Sequence, residues 1–216
     1  MKRIIIICEG ETEQEFCKNV LSKHFINLQI SLERPLIKKT GGGIVSWENL
    51  KKQIENHLKE DSTAFVTTLI DCYGIHPKHN FPKWEESKKR VDKSSRMDFI
   101  EEQMRLDLNE NLSWRFIPYI QLHEFEGLLF NDITFFHFSK SEFTNFQELQ
   151  HIIESNPNPE LINDSPETAP SKRLQKLIKG YNKVVYGAII AETIGLERMR
   201  AKATRFHKWI SILEKL

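Results

Sequence analysis

The stretch RIIIICEGETEQEF at residues 3–16 places a run of buried-type residues directly before a group of acids. Four consecutive isoleucines and a cysteine are typical of a strand that is buried on both faces of a parallel sheet. Thr12 and Glu15 have the spacing of a capping box, which predicts a helix that starts at about Glu13. Glu9 is then expected at the carboxyl end of the strand. In open α/β sheets, ligands and metals bind at this edge.

Strands and helices alternate along the rest of the chain. AFVTTLI at residues 64–70 predicts a second buried strand that ends at Asp71, and WRFIPYIQ at residues 114–121 predicts a third strand. Ser46 can cap a helix before the second strand, and the last third of the chain has helical periodicity. This order predicts an α/β fold with a mostly parallel sheet, flanked by helices, and a helical C-terminal part.

The 216 residues are enough for one large domain, or for a core with a smaller helical appendage. We expect a core over residues 1–130 and a mainly helical extension over residues 131–216, packed on the core as one compact unit. The chain carries 31 basic and 30 acidic side chains, a formal net charge of +1. Any contact with nucleic acid must therefore come from a local basic surface.

The cysteine content and the hydrophobic runs bear on the cellular location. The three cysteines lack the spacing of a zinc site, and their odd number is typical of a reduced cytosolic chain. The isoleucine run is too short to span a bilayer, and acids follow it at once. The sequence therefore predicts a cytoplasmic protein with no membrane segment.

Carboxylates follow each of the three predicted strands. Glu9 and Glu13 follow the first strand, Asp71 the second, and Glu124 and Glu126 the third. Mg²⁺ and Mn²⁺ prefer oxygen ligands, and enzymes of phosphoryl transfer use them at such strand ends. Structural alternatives exist, because an acid can favour a helix dipole, form a turn or start a helix. Together the five acids predict a site for one or two of these ions.

A group of basic residues lies at a predicted helix start, in ETAPSKRLQK at residues 167–176. Lys172 and Arg173 stand where the helix dipole is already positive, which is unfavourable for stability but suits the binding of phosphate. Lys176 continues the same basic face. A plain solvated surface is the structural alternative for all three side chains.

Five segments together carry a resemblance that none carries alone: CEGETE, LIDCYG, RFIPYIQLHEFEGLLF, INDSPETAPSKR and VVYGAIIAETIGLERMR. Over nearly its whole length the chain resembles a bacterial family of small Toprim-like proteins that are often encoded beside ABC-type ATPases. Through that family it is similar to nucleases of the overcoming-lysogenization-defect type and to anti-phage Toprim effectors. The resemblance implies a Toprim-like sheet, a Mg²⁺- or Mn²⁺-dependent site, a nucleic-acid substrate and an ABC-type ATPase partner.

The resemblance also assigns roles to single residues. Glu9 matches the Toprim strand-one glutamate, a metal ligand or general acid/base, and Glu13 matches the second acid of that motif in the nuclease branch. Asp71 matches the first acid of the Toprim Asp-x-Asp, but this chain departs from the pattern because Tyr73 replaces the second aspartate. Lys172 matches the lysine that neutralises phosphate charge in those nucleases.

Two functions are compatible with these observations. In the first, the protein is an endonuclease of DNA or RNA, including tRNA, in which Glu9, Asp71 and Lys172 are catalytic. Arg173 and Lys176 would then bind substrate, and the two glutamates after the third strand would replace the missing aspartate as metal ligands. In the second, the protein is a non-catalytic interaction or regulatory subunit of the ATPase, which the missing aspartate favours. Either form can be a homo-oligomer.

Overall fold

The computed structural model of the chain describes residues 1–38, 43–134, 136, 144–162 and 165–216. Five strands form one sheet: β1 (Lys2–Cys8), β2 (Ile30–Glu33), β3 (Phe65–Asp71), β4 (Phe116–Ile117) and β5 (Ile120–Gln121). The strand order is β2-β1-β3-β4, β5 pairs with the C-terminal half of β3, and all pairs are parallel. The predicted α/β fold with a parallel sheet is confirmed.

The third predicted strand, at residues 114–121, is interrupted in its middle. Pro118 has no backbone N–H to give to a neighbouring strand. The Thr68 hydroxyl bridges the gap: it donates to the Tyr119 carbonyl (2.9 Å) and accepts from the Tyr119 N–H (3.0 Å). Thus β4 and β5 act as one edge strand, which ends at Gln121.

The helices of the described residues, in chain order, are α1 (Glu11–Phe16), α2 (Ser22–Asn27), α3 (Trp47–Glu60), α4 (Trp84–Ser87), α5 (Lys93–Leu106), α6 (Glu110–Ser113), α7 (Phe146–Ser155), α8 (Pro170–Leu177), α9 (Lys183–Ile194), α10 (Leu196–Lys202) and α11 (Thr204–Leu213). A π-helical turn, Cys17–Leu21, joins α1 to α2. Ser46 caps α3 as predicted, with its side chain accepting from the Asn49 N–H. Within the described ranges, none of these helices has both the length and the apolar character needed to cross a bilayer.

The first helix begins earlier than predicted, and the capping box is wrong. Gly10 is the N-cap and α1 starts at Glu11, so Thr12 and Glu13 lie inside the first turn, where both are buried. A Cβ at position 10 would stand 3.1 Å from Glu13 Oε2, which is closer than most side chains tolerate. The glycine therefore lets the Glu13 carboxylate fold back over the turn between strand and helix.

Helices cover both faces of the sheet. Ile5 and Ile7 of β1 pack under α3 and α5, whereas Ile4 and Ile6 pack under α1 and the helices α8 to α11. Successive side chains of a strand point to opposite faces, so helices on both sides bury the whole isoleucine run. The helices of the C-terminal part share their core with α1, and α9 lies directly against it.

The direction of the chain across the sheet reverses at β1. From β1 the chain passes through α1 and α2 to β2 on one side, and α3 then returns it to β3 on the other side. Such a topological switch leaves a crevice outside the carboxyl ends of the two central strands, here β1 and β3. Glu9 follows β1 directly, and Asp71 is the last residue of β3. The fold therefore places both predicted acids at this crevice.

Candidate carboxylate site at the carboxyl edge of the sheet

Glu9 and Asp71 are joined directly at the ends of their neighbouring strands. The Glu9 Oε2 accepts a hydrogen bond from the Asp71 backbone N–H at 2.8 Å. The Glu9 N–H in turn donates to the Leu69 carbonyl at 3.1 Å. Gly74 lies beside the other carboxylate oxygen, since a Cβ at this glycine would stand 3.0 Å from Glu9 Oε1. The Glu9 side chain is therefore held across the strand ends.

The Asp71 carboxylate is buried and fixed in position. Its Oδ1 accepts a hydrogen bond from the Phe125 N–H at 3.0 Å, which ties the end of β3 to the segment after β5. Burial, followed by the nearby charges of Glu13 and Glu9, raises the pKa of Asp71 well above its usual range, although Lys183 opposes the shift. Asp71 is thus held in place in surroundings that disfavour its charged form.

Glu126 is the most isolated of the acids. It is 0% exposed, and no backbone N–H of the described residues donates to its carboxylate. Its Oε1 lies 3.0 Å from the Lys183 Nζ, an ion pair without hydrogen-bond alignment. Burial raises the pKa of Glu126 to about 7 against the effect of Lys183. Burial likewise raises the pKa of Glu13.

Glu124 is bound to the start of α8. Its Oε2 accepts from the Ser171 N–H (2.9 Å) and its Oε1 from the Ser171 hydroxyl (3.0 Å). A carboxylate at a helix N-terminus satisfies backbone donors that have no partner within the helix. Glu124 still belongs to the cluster of carboxylates that Glu9, Glu13, Asp71 and Glu126 form, because its charge contributes to the raised pKa values of Glu13 and Glu126.

The basic residues predicted to bind phosphate have local partners on and around α8. These pairs are Lys172 with Gln175 (3.2 Å), Arg173 with the Thr168 carbonyl (2.7 Å) and Lys176 with Glu148 (2.9 Å). Lys172 is exposed, and Glu124 lies at the helix N-terminus where phosphate was expected. These contacts match the solvated-face alternative, while a role of the three residues in substrate binding stays a prediction.

Lys183 is a basic residue that contacts Glu126, and its place beside the acids was not predicted from the sequence. Burial lowers the pKa of Lys183, but the charges of Glu126, Asp71 and Glu13 outweigh burial and raise it. Its side chain is 40% exposed, so it stands at the border between the cluster and solvent. No motif marks this lysine, because only the packing of α9 against α1 brings it to the carboxylates.

The acids meet at one edge of the sheet without closing around a common point. Across the described ranges, no three His, Cys, Asp or Glu side chains converge tightly enough to hold a metal ion. The chemistry of these side chains nevertheless suits a hard cation, since they offer carboxylate oxygens and Lys183 is paired with a single oxygen of Glu126. The residues fit a divalent cation in kind, and their side chains would have to rearrange to enclose it.

Fold and site together define an α/β protein with a carboxylate-lined crevice at its topological switch point. Residues 8–214 match the family model described as Domain of unknown function (DUF4276), and the chain belongs to this family. The match includes all five acids and Lys183. No curated protein and no solved structure gives a significant match to the chain.

Proposed function

We propose that the protein is a divalent-cation-dependent endonuclease that hydrolyses phosphodiester bonds at the carboxylate site. The observation that carries the proposal is the Glu126 carboxylate, which is fully buried among other acids and has the partly exposed Lys183 as its ion-pair partner. Burying ionised carboxylates without compensation is costly, and Lys183 supplies one positive charge among several acids. A hard divalent cation such as Mg²⁺ or Mn²⁺ would supply the missing charge.

The residues of the chain have distinct tasks in this proposal. Glu9, Glu13, Asp71 and Glu126 would hold the cation. When bound, the cation lowers the pKa of a water molecule and stabilises negative charge on the phosphate. Backbone N–H groups fix Glu9 and Asp71 before substrate arrives, which limits the reorganisation that catalysis requires. Lys183, at the solvent border of the cluster, is placed to neutralise charge that develops on a phosphate oxygen.

The proposed substrate and partner have the resemblance of the sequence segments as their support. It supports DNA or RNA as substrate, including tRNA, and a cytoplasmic effector of anti-phage defence that an ABC-type ATPase controls. A formal net charge of +1 agrees with weak binding of nucleic acid by the protein alone. An effector of this kind is held inactive by its partner until release.

The proposal is tested by cleavage of plasmid, single-stranded DNA and total tRNA with Mg²⁺ or Mn²⁺. The wild-type protein should cut at least one substrate, and chelation should stop it. Glu9→Ala and Asp71→Ala should each lower the rate by about a hundredfold or more, in line with the loss of a catalytic group. Glu15→Ala is the control, because Glu15 is an acid of the neighbouring helix α1 that pairs with Lys18 instead of joining the carboxylates. Equal rates in all four proteins would contradict the site.

A non-catalytic subunit of the ATPase is the second candidate. It is favoured by Tyr73, which is 39% exposed in place of the second Toprim aspartate, and by the ion pair between Lys183 and Glu126. In that case the lysine supplies the positive charge of the cluster permanently. Co-purification with the neighbouring ATPase, without cleavage by either protein or by the complex, would favour this function over the nuclease.

A further inference from the structure

A pocket of about 290 Å³ opens beside the carboxylate site. Lys93 and Arg96 of α5 line it, together with His76, His123 and Trp84, and we call it the basic pocket. None of its described lining residues is acidic. The pocket therefore presents positive charge next to a cluster of negative charge.

The basic pocket and the carboxylate site share a wall of backbone. Cys72, which lines the pocket, directly follows Asp71, and His123 directly precedes Glu124. The Tyr73 N–H donates to the His123 carbonyl at 3.1 Å, which holds the two segments together. A ligand that extends from one site to the other would cross only this short piece of chain.

Arg96 and Trp84 each carry a buried N–H group for which the described part of the chain offers no acceptor. The Arg96 guanidinium stacks over the Trp84 ring at 4.3 Å from its centroid, and its Nε donates to the Ser87 hydroxyl at 3.0 Å. The Arg96 Nη2 and the Trp84 Nε1 are buried, and within the described residues neither finds an acceptor. A buried donor without a partner is unfavourable, because folding removes its hydrogen bond to water and puts nothing in its place. A ligand with several acceptor oxygens would remove this cost.

Lys93 and His123 lie close together in the lining of the pocket. The Lys93 Nζ lies 3.4 Å from the His123 Nε2. His123 is buried with a φ of 62°, a left-handed conformation that few residues other than glycine adopt. Such strained residues cluster at functional sites, because the surrounding structure must hold them. Here the unusual backbone coincides with a ring that borders the pocket.

We propose that the basic pocket binds a backbone phosphate that flanks the scissile phosphate of the nucleic acid. The inference rests on the proposed nuclease and adds a subsite for its substrate. An arginine fork and a lysine are the usual partners of phosphate oxygens, and a phosphate would accept from the unpaired nitrogens. The flanking phosphate would fix the register of the strand while the next one lies at the carboxylates.

The test measures binding in EDTA, so that it does not depend on catalysis. The probes are fluorescent single-stranded DNA and RNA oligonucleotides, with inorganic phosphate as a separate arm. Lys93→Gln and Arg96→Gln should each weaken oligonucleotide binding about tenfold, and each should lower the slope of log affinity against log salt by about 1. Lys88→Gln is the control, because Lys88 is exposed and pairs with Glu85.

The outcomes separate this inference from the proposed function. Unchanged oligonucleotide affinity in Lys93→Gln overturns the subsite, even where Glu9→Ala abolishes cleavage. The Lys93→Gln variant also keeps the test valid if Arg96→Gln fails to fold. Weakened binding without cleavage by the wild type would support the pocket and contradict the nuclease. A response of inorganic phosphate alone, with oligonucleotide binding unaffected, would show a free-ion site and overturn the subsite.

Discussion

Glu101 on α5 shows how burial changes a single carboxyl group away from the candidate site. Its Oε1 accepts from the Ile120 N–H at 2.7 Å and lies 2.6 Å from the Arg205 Nη2. Burial raises the pKa of Glu101 to about 7, although the Arg205 charge opposes the shift. The folded state therefore binds a proton more tightly than the unfolded chain at this residue.

This pKa predicts how stability depends on pH. Between about pH 4.5 and pH 7 the folded state holds more protons at Glu101, so the free energy of unfolding falls as pH rises through this window. The side chain is 15% exposed and ion-paired, so we expect about 1–2 kcal/mol from it. In urea unfolding, Glu101→Gln should reduce the fall in unfolding free energy between about pH 4.5 and pH 7 by this amount. Glu102→Gln, next to it and exposed, should keep the full fall, and identical curves for all three proteins would contradict the prediction.

At the scale of secondary-structure elements, the contact of Glu124 with the N-terminus of α8 determines whether this carboxylate can bind a cation. Both of its oxygens already accept hydrogen bonds from Ser171, so we expect Glu124 to anchor the helix more than to bind the cation. Ser171→Ala removes one of these bonds and should cost about 1 kcal/mol of unfolding free energy. Glu124→Gln should cost a similar or larger amount.

The two roles of Glu124 are distinguished by the rise in melting temperature that Mn²⁺ produces. Ser171→Ala and Glu124→Gln should both retain this rise, whereas Glu126→Gln should lose most of it, because a bound ligand stabilises only the state that binds it. Loss of the Mn²⁺ effect in Glu124→Gln with its retention in Ser171→Ala would make Glu124 a metal ligand, as the sequence predicts.

At the scale of the whole molecule, the contact of α9 with α1 joins the C-terminal part to the first strand–helix unit. Gly187 of α9 is buried there, and a Cβ at this position would stand 3.1 Å from the Thr12 Cγ2. A larger side chain would push α9 away and carry Lys183 with it. The arrangement of the carboxylate site therefore depends on packing between segments that are distant in sequence.

Gly187→Val tests this coupling. Overpacking should lower the free energy of unfolding by about 1–3 kcal/mol, and the protein should still unfold in one transition. The cleavage rate should fall by more than the loss of folded protein explains, because Lys183 is displaced from the carboxylates. Thr193→Val, on the exposed part of the same helix, should change stability by no more than about 0.5 kcal/mol. Two separate transitions in calorimetry would show that residues 1–130 and 131–216 do not form one compact unit.

The sequence by itself determined the parallel sheet and the positions of the acids that follow its strands. The isoleucine run and AFVTTLI are local patterns, and burial on both faces of a sheet is what such runs require. Glu9 and Asp71 could be predicted as neighbours because the carboxyl ends of parallel strands meet at one edge. The Ser46 N-cap could also be predicted from the local sequence. The same kind of pattern misplaced the start of the first helix, where Gly10 is the N-cap.

Only the tertiary structure decided which charges face each other. Lys183 reaches Glu126 because α9 packs on α1, and Glu124 turns to α8 because Ser171 presents two donors there. The basic pocket likewise forms where α4 and α5 meet the ends of β3 and β5. Each partner is separated from the other by tens of residues, and no local pattern specifies such pairs. They follow from the close packing of helices on the sheet, which the whole chain determines together.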